Sequence, residues 1–183
     1  MFLSDVDIKK SIKKWEIIIS DFDKSRLQPA SYDILLWNKF LVVKWNSTPY
    51  IDPVKKILPE YEEINILDWE EFILHPNETV LGMSKDYFGS DYYLVQLWWK
   101  SSLARIWLVV HNTAWIINPG HFLNVTFELW NFSRIPIILR PGMEIAQILF
   151  SKMSSSCEKN YKTTWRYKHG EENFEAYKEK SKN

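Results

Sequence analysis

The hydrophobic positions near the start of the chain repeat at helical spacing. Ile8 and Ile12 lie four residues apart in a lysine-rich segment, so both fall on one face of a helix. Ser4 and Asp7 stand three residues apart at the start of this segment, the spacing of a capping box that satisfies free backbone amides. The pattern predicts one short amphipathic helix over residues 4 to 14.

Beyond this helix the pattern changes to short β-favouring runs, and several of the connections between them contain proline. Many short strands at such spacing are typical of a β barrel or sandwich and not of alternating strands and helices. We therefore expect a mainly β fold. The predicted strands cover residues 16–20, 34–43, 64–67, 71–74, 79–81, 92–97, 106–110, 125–131, 135–139 and 145–150.

One predicted strand carries a carboxylate among bulky neighbours. In the run 125–131 the apolar residues Val125, Phe127 and Leu129 share one face, and Glu128 lies on the other. A half-buried glutamate suits general acid and base chemistry. A strand glutamate is more often a solvated outer-face residue, so the spacing alone leaves both interpretations open.

Composition and charge narrow the class of protein. The 183 residues hold 23 basic and 23 acidic side chains, and this neutral balance gives no electrostatic reason to expect a nucleic-acid or anionic-membrane partner. Apolar runs of about five residues are far shorter than the roughly 20 residues of a spanning helix. A lone cysteine, Cys157, cannot form an intrachain disulfide and favours a reducing cytoplasm. We expect one domain over residues 1–183, with a polar tail over 151–183.

The residues that could bind a transition metal are few. The four histidines and Cys157 show no spacing typical of zinc, and one cysteine cannot supply the Pro-Cys-x-x-Cys motif of zinc nucleobase deaminases. The segment 100–105, KSSLAR, places two cations and two hydroxyls beside an apolar run, which would suit a phosphate. The alternative, favoured by spacing alone, is a strand-to-helix junction where the serines cap backbone and the cations face water.

Seven blocks of residues carry a resemblance to a known family. Their order along residues 3–150 strongly resembles that of the dCTP deaminases of the dUTPase-like fold. The resemblance implies a distorted β barrel, a homotrimer with active sites at subunit contacts, a nucleoside triphosphate bound with Mg²⁺, and no zinc. The blocks are 3–8 (LSDVDI), 27–33 (LQPASYD), 100–105 (KSSLAR), 111–114 (HNTA), 118–120 (NPG), 126–129 (TFEL) and 140–143 (RPGM).

The resemblance also implies roles for individual residues. Glu128 would be the base that activates water, while Ser101 and Arg105 would hold that water and orient the carboxylate. Asn118 stands where the family has aspartate, so a contact to the sugar keeps its oxygen but loses its charge. The implied substrate-binding residues are Lys100, Ser102, Ile116, Asn118 and, from the tail, Tyr161, Arg166 and Tyr167.

Tryptophan and glycine are present in unusual proportion. The chain has 10 tryptophans and only 5 glycines, whereas an average chain is about 7% glycine. Six tryptophans stand where the family pattern has glycine, among them Trp69 in an Asp68-Trp69 pair where Asp-Gly would be a hairpin turn. One hypothesis is that UGA codons, read as glycine in the organism, appear here as tryptophan; the other is a diverged homologue. The six are Trp15, Trp37, Trp69, Trp99, Trp107 and Trp115.

Three functions follow as expectations. The first is a dCTP deaminase that forms dUTP and ammonia for thymidylate supply, with dTTP as a candidate inhibitor. The second is a bifunctional deaminase and diphosphatase that continues to dUMP, or a plain dUTPase. The third is a nucleotide-binding homologue that has lost turnover, and retention of Glu128, Ser101 and Arg105 argues against it.

Overall fold

The computed structural model describes residues 1–112, 115–159 and 161–163. It opens with helix α1 (Asp5–Lys13), capped by the Ser4 hydroxyl, which accepts a hydrogen bond from the Asp7 amide at 3.4 Å. Ile8 is fully buried, because the apolar stripe of this short helix packs on the sheet. The predicted N-terminal helix and its cap are confirmed.

Eleven strands make up most of the regular secondary structure in the described residues, so the expected mainly β class is confirmed. One further short helix, α2 (Ser101–Ala104), follows β6. The strands are β1 (Ile17–Ile19), β2 (Tyr32–Lys44), β3 (Glu60–Asn65), β4 (Phe72–Leu74), β5 (Thr79–Ser90), β6 (Tyr93–Trp99), β7 (Leu108–Val109), β8 (Ile116–Ile117), β9 (Leu123–Asn131), β10 (Ile137–Leu139) and β11 (Glu144–Lys152).

Nine strands form one antiparallel sheet in the order β7-β9-β5-β2-β11-β6-β8, with β1 added to β5 and β3 added to β2. Strands β4 and β10 pair separately. Register shifts in β2 between Leu36 and Phe40, and in β5 between Met83 and Tyr87, mark bulges that bend these long strands. Five large side chains are fully buried in the core inside this curved sheet: Tyr32, Phe40, Phe88, Phe127 and Phe150.

Strand β5 is much longer than the predicted run 79–81. The hydrophobicity pattern missed its second half because that half buries polar side chains. Asp86 is 2% exposed and accepts two hydrogen bonds from Arg26 Nη1 at 2.8 and 3.0 Å. The Leu35 amide of β2 donates to the same carboxylate at 2.7 Å. This buried ion pair ties the loop before β2 to both central strands, and polar residues of this kind conceal a strand from a hydrophobicity pattern.

The Asp68-Trp69 pair does form a turn, in which the Glu70 amide donates to the Leu67 carbonyl at 2.9 Å. The expectation of a hairpin is wrong, however. Strand β3 before the turn pairs with β2, and strand β4 after it pairs with β10. The turn therefore carries the chain from one sheet to the other.

Within residues 1–112, 115–159 and 161–163, none of the helices has the length and apolar character needed to cross a membrane.

Candidate active site

Glu128 lies on β9, where the predicted alternation is observed. Phe127 and Leu129 are fully buried, whereas Glu128 is half-buried on the opposite face. The backbone amide of Asn112 donates a hydrogen bond to Glu128 Oε2 at 2.9 Å. This hydrogen bond from the main chain fixes the position of one carboxylate oxygen.

The strand pairing explains why residues 111 and 112 reach this glutamate. Val109 of β7 pairs with Trp130 of β9, so the chain that leaves β7 runs alongside Glu128. His111 is buried there, and among the residues that the structure describes neither of its ring nitrogens has a hydrogen-bond partner. Burial lowers the pKa of His111 below its usual value, and the nearby charge of Glu128 opposes this only in part.

A second buried polar group on the Glu128 face lacks a partner. Thr126 lies two residues before Glu128, and its buried hydroxyl has no hydrogen-bond partner in the described parts of the chain. Buried polar atoms are nearly always paired, so such groups at His111 and Thr126 are typical of a site that is completed by a ligand or another subunit. Both residues belong to blocks that resemble the family, but the sequence alone assigned them no role.

Three cavities surround this position. One of about 230 Å³ is lined by Glu128, Asn112, Thr79 and several apolar side chains. Asn112 also lines a second cavity, of about 240 Å³. A third cavity, of about 240 Å³, shares His111 and Trp99 with the second, and the ring centroids of these two residues lie 5.5 Å apart.

The predicted phosphate cluster divides in two in the structure. The Lys100 ammonium forms ion pairs with Asp33 Oδ2 at 2.8 Å and Glu144 Oε2 at 2.6 Å. Burial disfavours the charged amine, but these two carboxylates outweigh it and raise the pKa of Lys100 above its usual value. Gln28 also donates to Asp33 at 3.0 Å, so residues 27–33 hold Lys100 in place.

Ser101, Ser102 and Arg105 are exposed on α2. The expected strand-to-helix junction is confirmed, but Lys100 occupies the N-cap and no side chain caps the helix. The expectation that the serines cap backbone is therefore wrong, and so is the expectation that Lys100 faces water. Among the described contacts, no hydrogen bond or ion pair joins Glu128 to Ser101 or Arg105.

The remaining substrate-binding candidates cluster around one turn. Ile116 of β8 is half exposed, and Asn118 is exposed at the turn that ends in Gly120 at φ 87°. The Tyr161 ring stacks on His121 with centroids 4.4 Å apart, and its amide donates to the Pro119 carbonyl at 3.3 Å. The start of the tail thus lies beside the Asn118 turn. The other two predicted tail residues, Arg166 and Tyr167, lie outside the described residues.

Metal-binding groups are dispersed in the parts of the chain that the structure describes. Within residues 1–112, 115–159 and 161–163, no three His, Cys, Asp or Glu side chains come together in an arrangement that could hold a metal ion.

Comparisons with known proteins agree on one family. Residues 2–153 match the family described as dCTP deaminase-like. A protein of Dictyoglomus thermophilum named "dCTP deaminase, dUMP-forming" is 39% identical over 165 residues, which are 88% of this chain and 85% of that protein. A protein of Methanopyrus kandleri with the same name is 35% identical over 176 residues, 93% of this chain and 91% of that one.

The fold is shared with a solved structure. The crystal structure of 2'-deoxycytidine 5'-triphosphate deaminase from Agrobacterium tumefaciens superposes with a TM-score of 0.63 and 19% sequence identity. The match covers 83% of this chain but 48% of that one, so this chain spans about half the length of that protein. This likeness confirms the expected β architecture.

Proposed function

Since the chain belongs to the dCTP deaminase-like family, we propose that it is an enzyme that deaminates dCTP with Glu128 as general base. The observation that carries the proposal is the position of this carboxylate. It is half-buried, accepts a hydrogen bond from the Asn112 amide at 2.9 Å, and lines a cavity of about 230 Å³. A carboxylate fixed in this way can exchange protons with a bound water at a position that is partly shielded from bulk solvent.

The reaction requires one carboxyl group to act twice. Glu128 takes a proton from water, and the hydroxide adds to C4 of cytosine to give a tetrahedral intermediate. The protonated carboxyl then delivers that proton to the amino group at C4, which leaves as ammonia; the proton of the added hydroxyl passes to ring nitrogen N3 as the carbonyl of uracil forms. One water is consumed and one ammonia is released, and Glu128 returns to its ionised form.

The partners of Glu128 are proposed to come from another subunit of a homotrimer. Ser101 on α2 and Arg105 at its C-cap are exposed without a hydrogen bond to Glu128 in the described chain, while His111 and Thr126 are buried near Glu128 with no hydrogen-bond partner among the described residues. A subunit contact that places α2 of one chain over β9 of the next would satisfy both sets of groups. Ser101 and Arg105 would then hold the water and orient the carboxylate.

The substrate is proposed to bind as its Mg²⁺ complex. The cation would travel with the triphosphate, because the described residues offer no cluster of three ligands of their own. Ser102 and Lys100 would face the phosphates, Ile116 and Asn118 the sugar and base. Tyr161, which lies beside the Asn118 turn, would join Arg166 and Tyr167 in the tail that closes the site.

The product is proposed to be dUMP. The names of the two relatives state a dUMP-forming reaction, which favours the bifunctional enzyme over one that stops at dUTP. In this sequence of steps dCTP and water give dUTP and ammonia, and dUTP and a second water give dUMP and pyrophosphate. The second step would need a second water placed at the α-phosphate.

Substitution Glu128→Gln tests the role of the base. The amide keeps the size and hydrogen bonding of the side chain but cannot accept the proton, so ammonia release should fall at least about 100-fold while dCTP binding persists. The matched control is Glu60→Gln, at an exposed glutamate of strand β3, which should leave turnover unchanged.

Ammonia and pyrophosphate are measured together from the same reaction with dCTP, and binding is measured by calorimetry. Equimolar ammonia and pyrophosphate indicate dUMP formation, whereas ammonia with dUTP indicates the monofunctional enzyme. Unchanged ammonia release by Glu128→Gln rules out this carboxylate as the base.

A further inference from the structure

Two tryptophans occupy backbone positions that favour glycine. Trp15 has φ 61° and follows the last turn of α1. Its amide donates to the Ile12 carbonyl at 3.0 Å, and the Glu16 amide donates to the Ser11 carbonyl at 2.9 Å. This pair of hydrogen bonds is the Schellman motif, whose left-handed residue is usually glycine because a Cβ is disfavoured there. Its indole side chain is 80% exposed, so no packing compensates.

Trp107 repeats this situation after α2. Its φ is 64°, its amide donates to the Ala104 carbonyl at 3.0 Å, and its side chain is 60% exposed. Asp21 and Asn77 are also non-glycine residues with positive φ, but their short polar side chains tolerate this conformation. A bulky aromatic residue does not, so Trp15 and Trp107 are genuine outliers.

The surroundings of Trp37 and Trp69 also suit glycine. Trp37 lies in β2 within the register shift between Leu36 and Phe40, and a glycine inside a strand often marks a bulge of this kind. Trp69 follows Asp68 in the turn between the two sheets and is 80% exposed. The Trp37 indole lies outside the main hydrophobic core and packs, partly buried, against Leu41 and Met83.

Trp99 and Trp115 fill the space beside the proposed base. Both line the cavity that reaches Asn112 and His111, and Trp99 also walls the cavity on the other side of His111. The Trp98 ring lies tilted against Trp99 and edge-on to Trp115, with centroid distances of 5.5 and 6.2 Å. Glycine at positions 99 and 115 would remove two of the indoles that line these cavities and open a wider cleft from α2 to Asn112, where a nucleotide backbone could approach closely.

From these positions we infer that the natural protein has glycine at 15, 37, 69, 99, 107 and 115, and that the six tryptophans are UGA codons that the organism reads as glycine. Glycine is scarce in the chain, 5 residues against 10 tryptophans, and six exchanges would make it 11 against 4. The inference of glycine at positions 15 and 107 depends on backbone conformation and is independent of function. The inference of glycine at positions 99 and 115 rests on the proposed deaminase function.

The gene and the native protein provide the direct test. The six codons should be UGA, and peptides of the protein isolated from its own organism should have the mass of glycine at these positions. Codons UGG at the six positions, or peptides with the mass of tryptophan, would overturn the inference.

Recombinant variants test the backbone argument apart from activity. Trp15→Gly and Trp107→Gly should each raise the melting temperature by about 2–4 °C, because each relieves a positive-φ position. The matched control Trp130→Gly, inside strand β9, should lower it, since glycine weakens a strand. A lower melting temperature for both Trp15→Gly and Trp107→Gly would contradict the backbone argument.

The double variant Trp99→Gly/Trp115→Gly tests the cleft. Its kcat/KM for dCTP should exceed that of the tryptophan-containing chain by about tenfold or more, while Trp15→Gly, at an exposed indole that lines none of the three cavities around Glu128, should leave it unchanged. If Trp15→Gly and Trp107→Gly are stabilised as expected but no variant releases ammonia, the proposed function fails and the glycine inference at 15 and 107 stands. If the tryptophan-containing chain is fully active and the double variant has no higher kcat/KM for dCTP, the glycine inference fails at positions 99 and 115.

Discussion

The buried ion pair between Arg26 and Asp86 offers the sharpest test of the fold. The two side chains are 9% and 2% exposed, and Asp86 accepts hydrogen bonds from Arg26 and from the Leu35 amide. The substitution Arg26→Met keeps most of the apolar stem but leaves the carboxylate charged and buried. Loss of one partner from such a pair costs about 3–5 kcal/mol of the free energy of unfolding.

For a chain of this length that loss corresponds to a fall of roughly 6–20 °C in melting temperature. Urea unfolding followed by circular dichroism measures the free energy directly. Lys9→Met is the matched control, because its pair with Asp5 is 39% exposed on both sides and should contribute little. A loss below about 1 kcal/mol for Arg26→Met would mean that water reaches Asp86 and that the pair does not hold β2 to β5.

Two further predictions concern protons and metals. Burial lowers the pKa of His111 in the folded chain below its usual value of about 6.5. Below pH 6.5 the unfolded chain therefore binds more protons at this residue than the folded chain. The free energy of unfolding should decrease as the pH falls from 7 toward 5. His111→Phe should flatten that part of the profile in urea titrations, and an unchanged slope would show that His111 is not the group responsible. Chelation of zinc should leave ammonia release unchanged, whereas removal of Mg²⁺ should weaken dCTP binding measured by calorimetry. Loss of turnover after zinc chelation alone would contradict the proposed role of Glu128.

Local patterns predicted much of the architecture. The Ser4 cap, the helix that follows it and the strand around Glu128 were all predicted from residues within one turn or one strand, because their periodicity depends on neighbours in sequence. Strand β5 was predicted only in part, since Ser84 and Asp86 are buried polar residues that break the apolar pattern. The two-residue strand β8 was missed because it is too short to show periodicity.

The Glu128 site was predicted less completely than the strand that carries it. Resemblance pointed to Glu128, and alternation placed it correctly on the half-buried face. The Asn112 amide, 16 residues away in sequence, could not be identified as its partner, because that contact depends on how β7 pairs with β9. Lys100 was expected to face water or phosphate, and only the packing of β2 and β11 against β6 brought Asp33 and Glu144 to it.

The sequence by itself determined the β class, the N-terminal helix, the family and the face on which Glu128 lies, because each of these depends on short-range spacing or on blocks of neighbouring residues. Tertiary structure decided which groups contact each other. It brings the Asn112 amide to Glu128, two carboxylates to Lys100 and three indoles to one cavity, and it buries His111 without a hydrogen-bond partner among the described residues. These contacts join residues distant in the chain, and their geometry is set by strand register and bulges, which no local pattern encodes.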